Sequence, residues 1–191
     1  MRLICYNGPI DFQTISNFEE DLLLIASELE DKKDVKIKCL FTTQGGEMTS
    51  APLLIELLNY AYEKYNLEIY TGDIVFSAGT KVLLGFKGKI TFNPFSIFMF
   101  HPPHVDVNTN ELRNTKGIYN TIMKNLLFNG LDENLKPFFT KEEIKTIEKG
   151  GEVYMDSKRF ENIKNNFNLN SKEDDKKEKP VVTRKSRNSK K

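Results

Sequence analysis

Residues 35–41, Val35-Lys36-Ile37-Lys38-Cys39-Leu40-Phe41, alternate side chains with the period of a strand, and Gly45-Gly46 then breaks the run. Apolar residues return at helical spacing from 51 to 65, through Leu54, Leu57, Leu58, Ala61 and Tyr62, and Leu67-Glu68-Ile69-Tyr70 reads as the next strand. A strand, a helix long enough to cross back and a second strand make the unit from which parallel sheets are built, with the helix covering one face.

The same alternation extends to both sides. Upstream, Leu3-Ile4-Cys5-Tyr6 is a short strand stopped by Asn7-Gly8-Pro9, and 14–29 has helical spacing in Ile15, Phe18, Leu22, Ile25 and Leu29. Downstream, 76–84 reads as a buried helix and 89–92 and 96–100 as two strands. Past His101 the pattern changes: 101–107 is a proline-stiffened loop or edge strand, and 111–127 a long helix with Ile118, Ile122 and Leu126 on one face. Thr140 and Glu143 have the spacing of a capping box opening a helix that ends near Lys149 at Gly150-Gly151. The reading is an α/β domain over 1–170. Residues 171–191 are almost wholly polar and charged and read as a disordered tail with a basic end, because they cannot bury enough surface to offset ordering.

With 191 residues, 39% apolar and 29% charged, the chain is the size of one domain with a real core. A net charge of +1 gives no bulk field toward nucleic acid or membrane, so only the basic end of the tail offers a nucleic-acid contact. The start, Met1-Arg2-Leu3-Ile4, lacks a signal-peptide core, and no window approaches the roughly 18 apolar residues of a span. Cys5 and Cys39 are too few for a disulfide framework and both read as reduced core thiols. The expected setting is the cytoplasm. No cluster of His, Cys and carboxylate has ligand spacing, so no metal or organic cofactor is implied.

Nucleophilic serine chemistry needs a base, a group to orient it and amides to hold an oxyanion. The chain has two histidines, His101 and His104, and His101 closes the strand-like run 96–100. Ser77, between small residues at the mouth of a buried helix, is the candidate nucleophile; its competing role is that helix's N-cap. The amide of Ala78 lies at the helix start, where the dipole favours negative charge, and Gly45-Gly46 offers backbone that can approach closely or is simply a turn.

The order and wording of these segments resemble the proteolytic subunit of the Clp protease and its looser relatives. Thr43-Gln44-Gly45-Gly46-Glu47 stands where that family has Ser-Pro-Gly-Gly, and Phe76-Ser77-Ala78-Gly79 resembles its nucleophile turn. Lys87-Gly88-Lys89 matches the turn after the helix, and Asn93-Pro94-Phe95-Ser96-Ile97-Phe98-Met99-Phe100-His101-Pro102-Pro103 the segment carrying the histidine. The opening, residues 2–11, is also similar. The resemblance implies Ser77 as nucleophile, His101 as general base, the amides of Gly45 and Ala78 as oxyanion hole, and a handle helix at 111–127. Tyr154-Met155-Asp156-Ser157 matches the run opening the last helix, which puts Glu152 in the place of the family's aspartate; Asp156, the other candidate, falls where a helix cap belongs.

The implied protein is an endopeptidase of ClpP/crotonase-like fold, acting on peptides or unfolded chains in a homo-oligomeric ring, heptameric and single or stacked in pairs. An inactive ring subunit with an assembly role is the alternative. The family's N-terminal extension, which docks an unfoldase ATPase, has no counterpart before the first strand here, which leaves that partner open. The Gly-rich strand after the family's histidine is replaced by Pro103-His104-Val105-Asp106-Val107, and its Asp-Arg ring-joining pair by Glu152-Val153.

Overall fold

A computed structural model describes residues 1–28, 36–102 and 135–174, with side chains to 167. The order is β1 (Arg2–Asn7), α1 (Phe12–Ser27), β2 (Ile37–Thr43), α2 (Ala51–Tyr65), β3 (Glu68–Phe76), α3 (Ala78–Gly85), β4 (Ile90–Thr91), β5 (Ile97–Phe100), a 3-10 turn (Lys136–Phe138), α4 (Lys141–Glu148), β6 (Val153–Asp156) and α5 (Ser157–Asp174). The expected handle helix at 111–127 and His104 lie outside the described residues.

Among the described residues one six-stranded sheet runs β1-β2-β3-β5-β6, with β4 beside the start of β3. All pairs are parallel except β5 with β6. The strands of the repeated strand-helix units are parallel as their alternation predicts, and the antiparallel edge strand β6 is one that the sequence reading did not include. β6 follows α4 in the chain and pairs with β5 in the opposite direction.

Register turns the period-two patterns into a layer. Ile4, Cys39 and Ile69 form one cross-strand row and Val75, Phe98 and Met155 another, and all six are buried. Onto that face pack Ile15, Phe18 and Leu22 of α1, Leu54 and Leu58 of α2, Val82 and Leu83 of α3, and Phe160 of α5, whose ring stacks on Phe98 at 4.2 Å. The opposite face keeps Leu3, Tyr70, Ile97 and Tyr154 exposed. Cys5 belongs to it, so of the two thiols expected in the core only Cys39 is there, its pKa pushed up to about 12 by burial.

The strand expected over 67–70 runs on to Phe76. At Gly72-Asp73 the strand carries a bulge: the pairing with β2 steps from Phe41 opposite Thr71 to Thr43 opposite Val75. A Cβ on Gly72 would stand 2.7 Å from Thr42 Cβ, so glycine is what allows the close approach. Beside the bulge the chain passes from β4 to β5 through a satisfied polar chain. Asn93 N–H donates to Thr71 Oγ1 at 2.9 Å, the Thr71 hydroxyl meets Ser96 Oγ at 2.8 Å, and Ser96 donates to the Gly72 carbonyl at 2.5 Å.

Local chemistry sets the helices. The Asp11 carboxylate accepts Thr14 N–H at 2.7 Å to open α1, Asn66 closes α2 in the left-handed region at φ 53, and the Thr140–Glu143 capping box opens α4 as its spacing predicts. α3 is fastened at its far end by α5, where buried Lys164 donates to the carbonyls of Leu84 at 2.8 Å and Phe86 at 2.7 Å. Burial pulls the Lys164 amine down to about 8. α5 stays helical to Asp174, past residue 171 where the tail is read to begin, and 175–191 lie outside the described residues.

Candidate active site

Because β1, β2, β3 and β5 run parallel, their carboxyl ends share one edge of the sheet, the edge at which open α/β sheets build sites. Gly45 follows β2, Ser77 follows β3 and His101 follows β5. β6 runs the other way, so Glu152, just before its first residue, comes to the same edge.

Ser77 occupies φ 54 and ψ −121, a conformation ordinarily left to glycine. It forms a one-residue corner between the end of β3 and the start of α3. Its N–H donates to the Met99 carbonyl at 2.8 Å, and its own carbonyl accepts from Thr80 N–H at 3.0 Å and the Thr80 hydroxyl at 2.7 Å. These bonds lock the backbone of a strained strand-to-helix turn, the kind of corner that presents a serine hydroxyl above a sheet. The competing role as N-cap is not taken: the Ser77 side chain makes no capping hydrogen bond to α3.

Gly45, at φ +94, abuts this corner. A Cβ there would lie 2.6 Å from Ser77 Cβ and 3.2 Å from Ser77 Oγ. The glycine is thus a close approach to the hydroxyl as well as a turn. Its carbonyl accepts from Ile10 N–H at 2.8 Å, which ties the loop after β2 to the segment after β1. Its N–H, assigned from sequence to the oxyanion, donates to buried Thr43 Oγ1 at 3.0 Å. Ala78, the other assigned amide, is a fully buried residue at the first position of α3.

The His101 ring sets Nδ1 2.5 Å from the carbonyl of Pro102. A carbonyl only accepts, so this contact places the proton on Nδ1 and makes Nε2 the basic nitrogen. Register brings Glu152 and His101 to the same end of one ladder. β5 and β6 pair Ile97 with Asp156, Phe98 with Met155, Met99 with Tyr154 and Phe100 with Val153; His101 and Glu152 are the residues that adjoin this last pair. Asp156 sits at the far end of that ladder, where its Oδ1 accepts Arg159 N–H at 2.8 Å and caps α5.

Two residues of this edge escaped the sequence reading. The Thr43 hydroxyl is one, and nothing in a period-two strand marks it. The other is Tyr154, whose hydroxyl donates to Glu152 Oε2 at 2.6 Å; that hydrogen bond and the carboxylate's charge hold the phenol above its ordinary pKa. Spacing i to i+2 on a strand puts both on one face, a signal that was present.

No protein-family model matches the chain, and no curated protein matches it at a significant level. Among the described residues, no helix is long and apolar enough to cross a membrane.

Proposed function

We propose that the chain is a serine endopeptidase of the ClpP-like kind, with Ser77 as nucleophile, His101 as base and Glu152 as acid. The observation that carries this reading is the strained Ser77 corner, locked by Met99 and Thr80 at the sheet edge that also bears His101 and Glu152. Strain of about 1–3 kcal/mol in a non-glycine residue persists where its surroundings over-determine it, and such positions cluster at active sites.

In the proposed reaction Ser77 Oγ attacks the peptide carbonyl and its proton passes to His101 Nε2. Negative charge on the carbonyl oxygen falls to amides at the start of α3, Ala78 first. The proton then goes to the leaving amine as the C–N bond breaks, leaving an ester on Ser77. Water, deprotonated by His101, cleaves the ester and returns the hydroxyl. With Nδ1 given to Pro102, the contribution of Glu152 in this reading is its charge, at the end of the β5–β6 ladder that His101 also adjoins.

The proposal extends to a cytoplasmic homo-oligomeric ring of ClpP/crotonase-like subunits with handle helices at 111–127, taking peptides and unfolded chains into a chamber. The second reading, a catalytically weak ring subunit, is favoured by one observation: the Gly45 N–H is committed to Thr43. Turnover of short peptides and of an unstructured protein without ATP separates the two. The peptidase reading expects hydrolysis in wild type, none in Ser77→Ala, a loss of orders of magnitude in His101→Ala, and a light-scattering mass several times 22.1 kDa. Full activity in either variant removes the assignment, and an active monomer removes the chamber.

A further inference from the structure

The residue that sets the position of Glu152 is already anchored to the nucleophile's own strand. Phe76, Met99 and Tyr154 form one cross-strand row on the face of the sheet that also carries Ile97. Adjacent strands lie about 4.8 Å apart, so the outer two backbones are about twice that distance apart. Their rings nevertheless meet edge to face with centroids 5.8 Å apart. Both lean inward toward Met99, which is 6% exposed while Tyr154 beside it is 53% exposed. Phe76 is the residue bonded to Ser77, and Tyr154 is on the same strand face as Glu152, two residues along.

We propose that Tyr154 is the positioning residue of the catalytic acid, its hydroxyl pinning the Glu152 carboxylate at the ladder end that His101 adjoins. This rests on the reading of Ser77, His101 and Glu152 as the working set. A glutamate has one more rotatable bond than an aspartate, and Glu152 is exposed, so by itself its charge would be spread over many rotamers. The 2.6 Å bond from Tyr154 takes Oε2 and removes that freedom. A carboxylate has acceptor sites to spare, so Oε1 keeps its capacity for a second partner at this edge. Because Pro102 already holds Nδ1, the acid acts through the distance of its charge, and that distance is what the phenol fixes. The raised pKa of the phenol accords with this pairing.

The test uses the full chain as wild type, Tyr154→Phe, Glu152→Gln and the double variant, with a fluorophosphonate as probe. Ser77 Oγ attacks phosphorus, fluoride leaves, and the serine proton passes to His101. Tyr154→Phe keeps the ring over Met99, so thermal unfolding should not move. Its maximal labelling rate should fall roughly tenfold with probe affinity unchanged, and should fall no further when Glu152 is already Gln. A difference titration of tyrosinate absorbance, wild type minus Tyr154→Phe, should place this phenol above the ordinary value of about 10, returning to it in Glu152→Gln. Undiminished labelling in Tyr154→Phe, an equal loss with and without Glu152, or an ordinary phenol in wild type overturns the positioning role alone. Wild type that does not label at Ser77 overturns the peptidase reading, and the role falls with it.

Discussion

At the carboxyl edge of the sheet Ser77 takes φ 54, Gly45 φ +94 and Gly46 φ +150, whereas at the corner where α4 meets α5 each polar group is met in ordinary geometry. There Thr140 and Glu143 cap each other's amides, and Arg159 forks onto Glu143 at 2.7 and 2.8 Å. Arg159 also donates to the Phe138 carbonyl at 3.1 Å and lies over the Phe139 ring. Both regions are held by side-chain and backbone bonds, yet at the corner those bonds stabilise, while at the edge they hold a conformation that costs free energy. Scaffold obeys local rules and sites break them. Substitutions at the edge should therefore move activity whether or not they cost stability, and substitutions at the corner should move stability with activity left in place.

The largest effect should come from Gly45→Ala, which drives a methyl into the Ser77 side chain at a left-handed backbone position. Peptide turnover should fall about 100-fold or more, and thermal unfolding should report a loss of about 1–3 kcal/mol. Retained turnover would mean that the close approach of Gly45 has no bearing on the hydroxyl.

Next comes the pair of carboxylates on β6. Glu152→Gln should lower turnover about 100-fold with stability unchanged, since only a charge at the ladder end that His101 adjoins stabilises its protonated form. Asp156→Ala should cost about 1 kcal/mol in denaturant unfolding, through the lost α5 cap, and leave turnover in place. The opposite ranking in turnover would move the acid to Asp156.

The corner sharpens the contrast through pH. The Arg159 guanidinium hydrogen-bonded to Glu143, with help from the Thr140 amide, holds its carboxyl down to about 2. A depressed folded-state pKa gives stability that is whole above the unfolded value of about 4.3 and is lost as pH falls toward 2. Glu143→Gln should lower unfolding free energy at pH 7 by about 1–2 kcal/mol after allowance for solvent screening, and the variant should lose less stability than wild type between pH 4 and 2. Turnover at pH 7 should be unaffected.

Smallest in stability, though complete in turnover, is the effect of Ser77→Gly. Relief of about 1–3 kcal/mol of backbone strain, offset by about 0.5–1 kcal/mol for the freedom of glycine in the unfolded chain, should raise stability by about 1 kcal/mol. A more stable but inert variant is the signature of strain kept for function; a less stable one would assign the corner to scaffold.

The strand-helix order was legible because the buried residues repeat with period two or at helical spacing, and α2 falls at 51–65 as its apolar positions predict. The length of β3 was not, because Gly72-Asp73 has the local chemistry of a turn and only the register on β2, which skips from Phe41 to Thr43, makes it a bulge. The direction of β6 was hidden for a similar reason: orientation is decided by the path of the chain, not by the composition of Val153–Asp156. At the site, residue identities could be read but not their engagements. That Gly45 N–H goes to Thr43, His101 Nδ1 to Pro102 and Glu152 to Tyr154 depends on how loops from four strands meet at one edge.

Intact-mass analysis after exposure to a fluorophosphonate tests the account most directly, because it reads nucleophile activation without knowledge of the substrate. The strained corner predicts one adduct per chain, mapped to Ser77 and absent from Ser77→Ala. No adduct on a folded wild type, or an adduct that persists in Ser77→Ala, would contradict it.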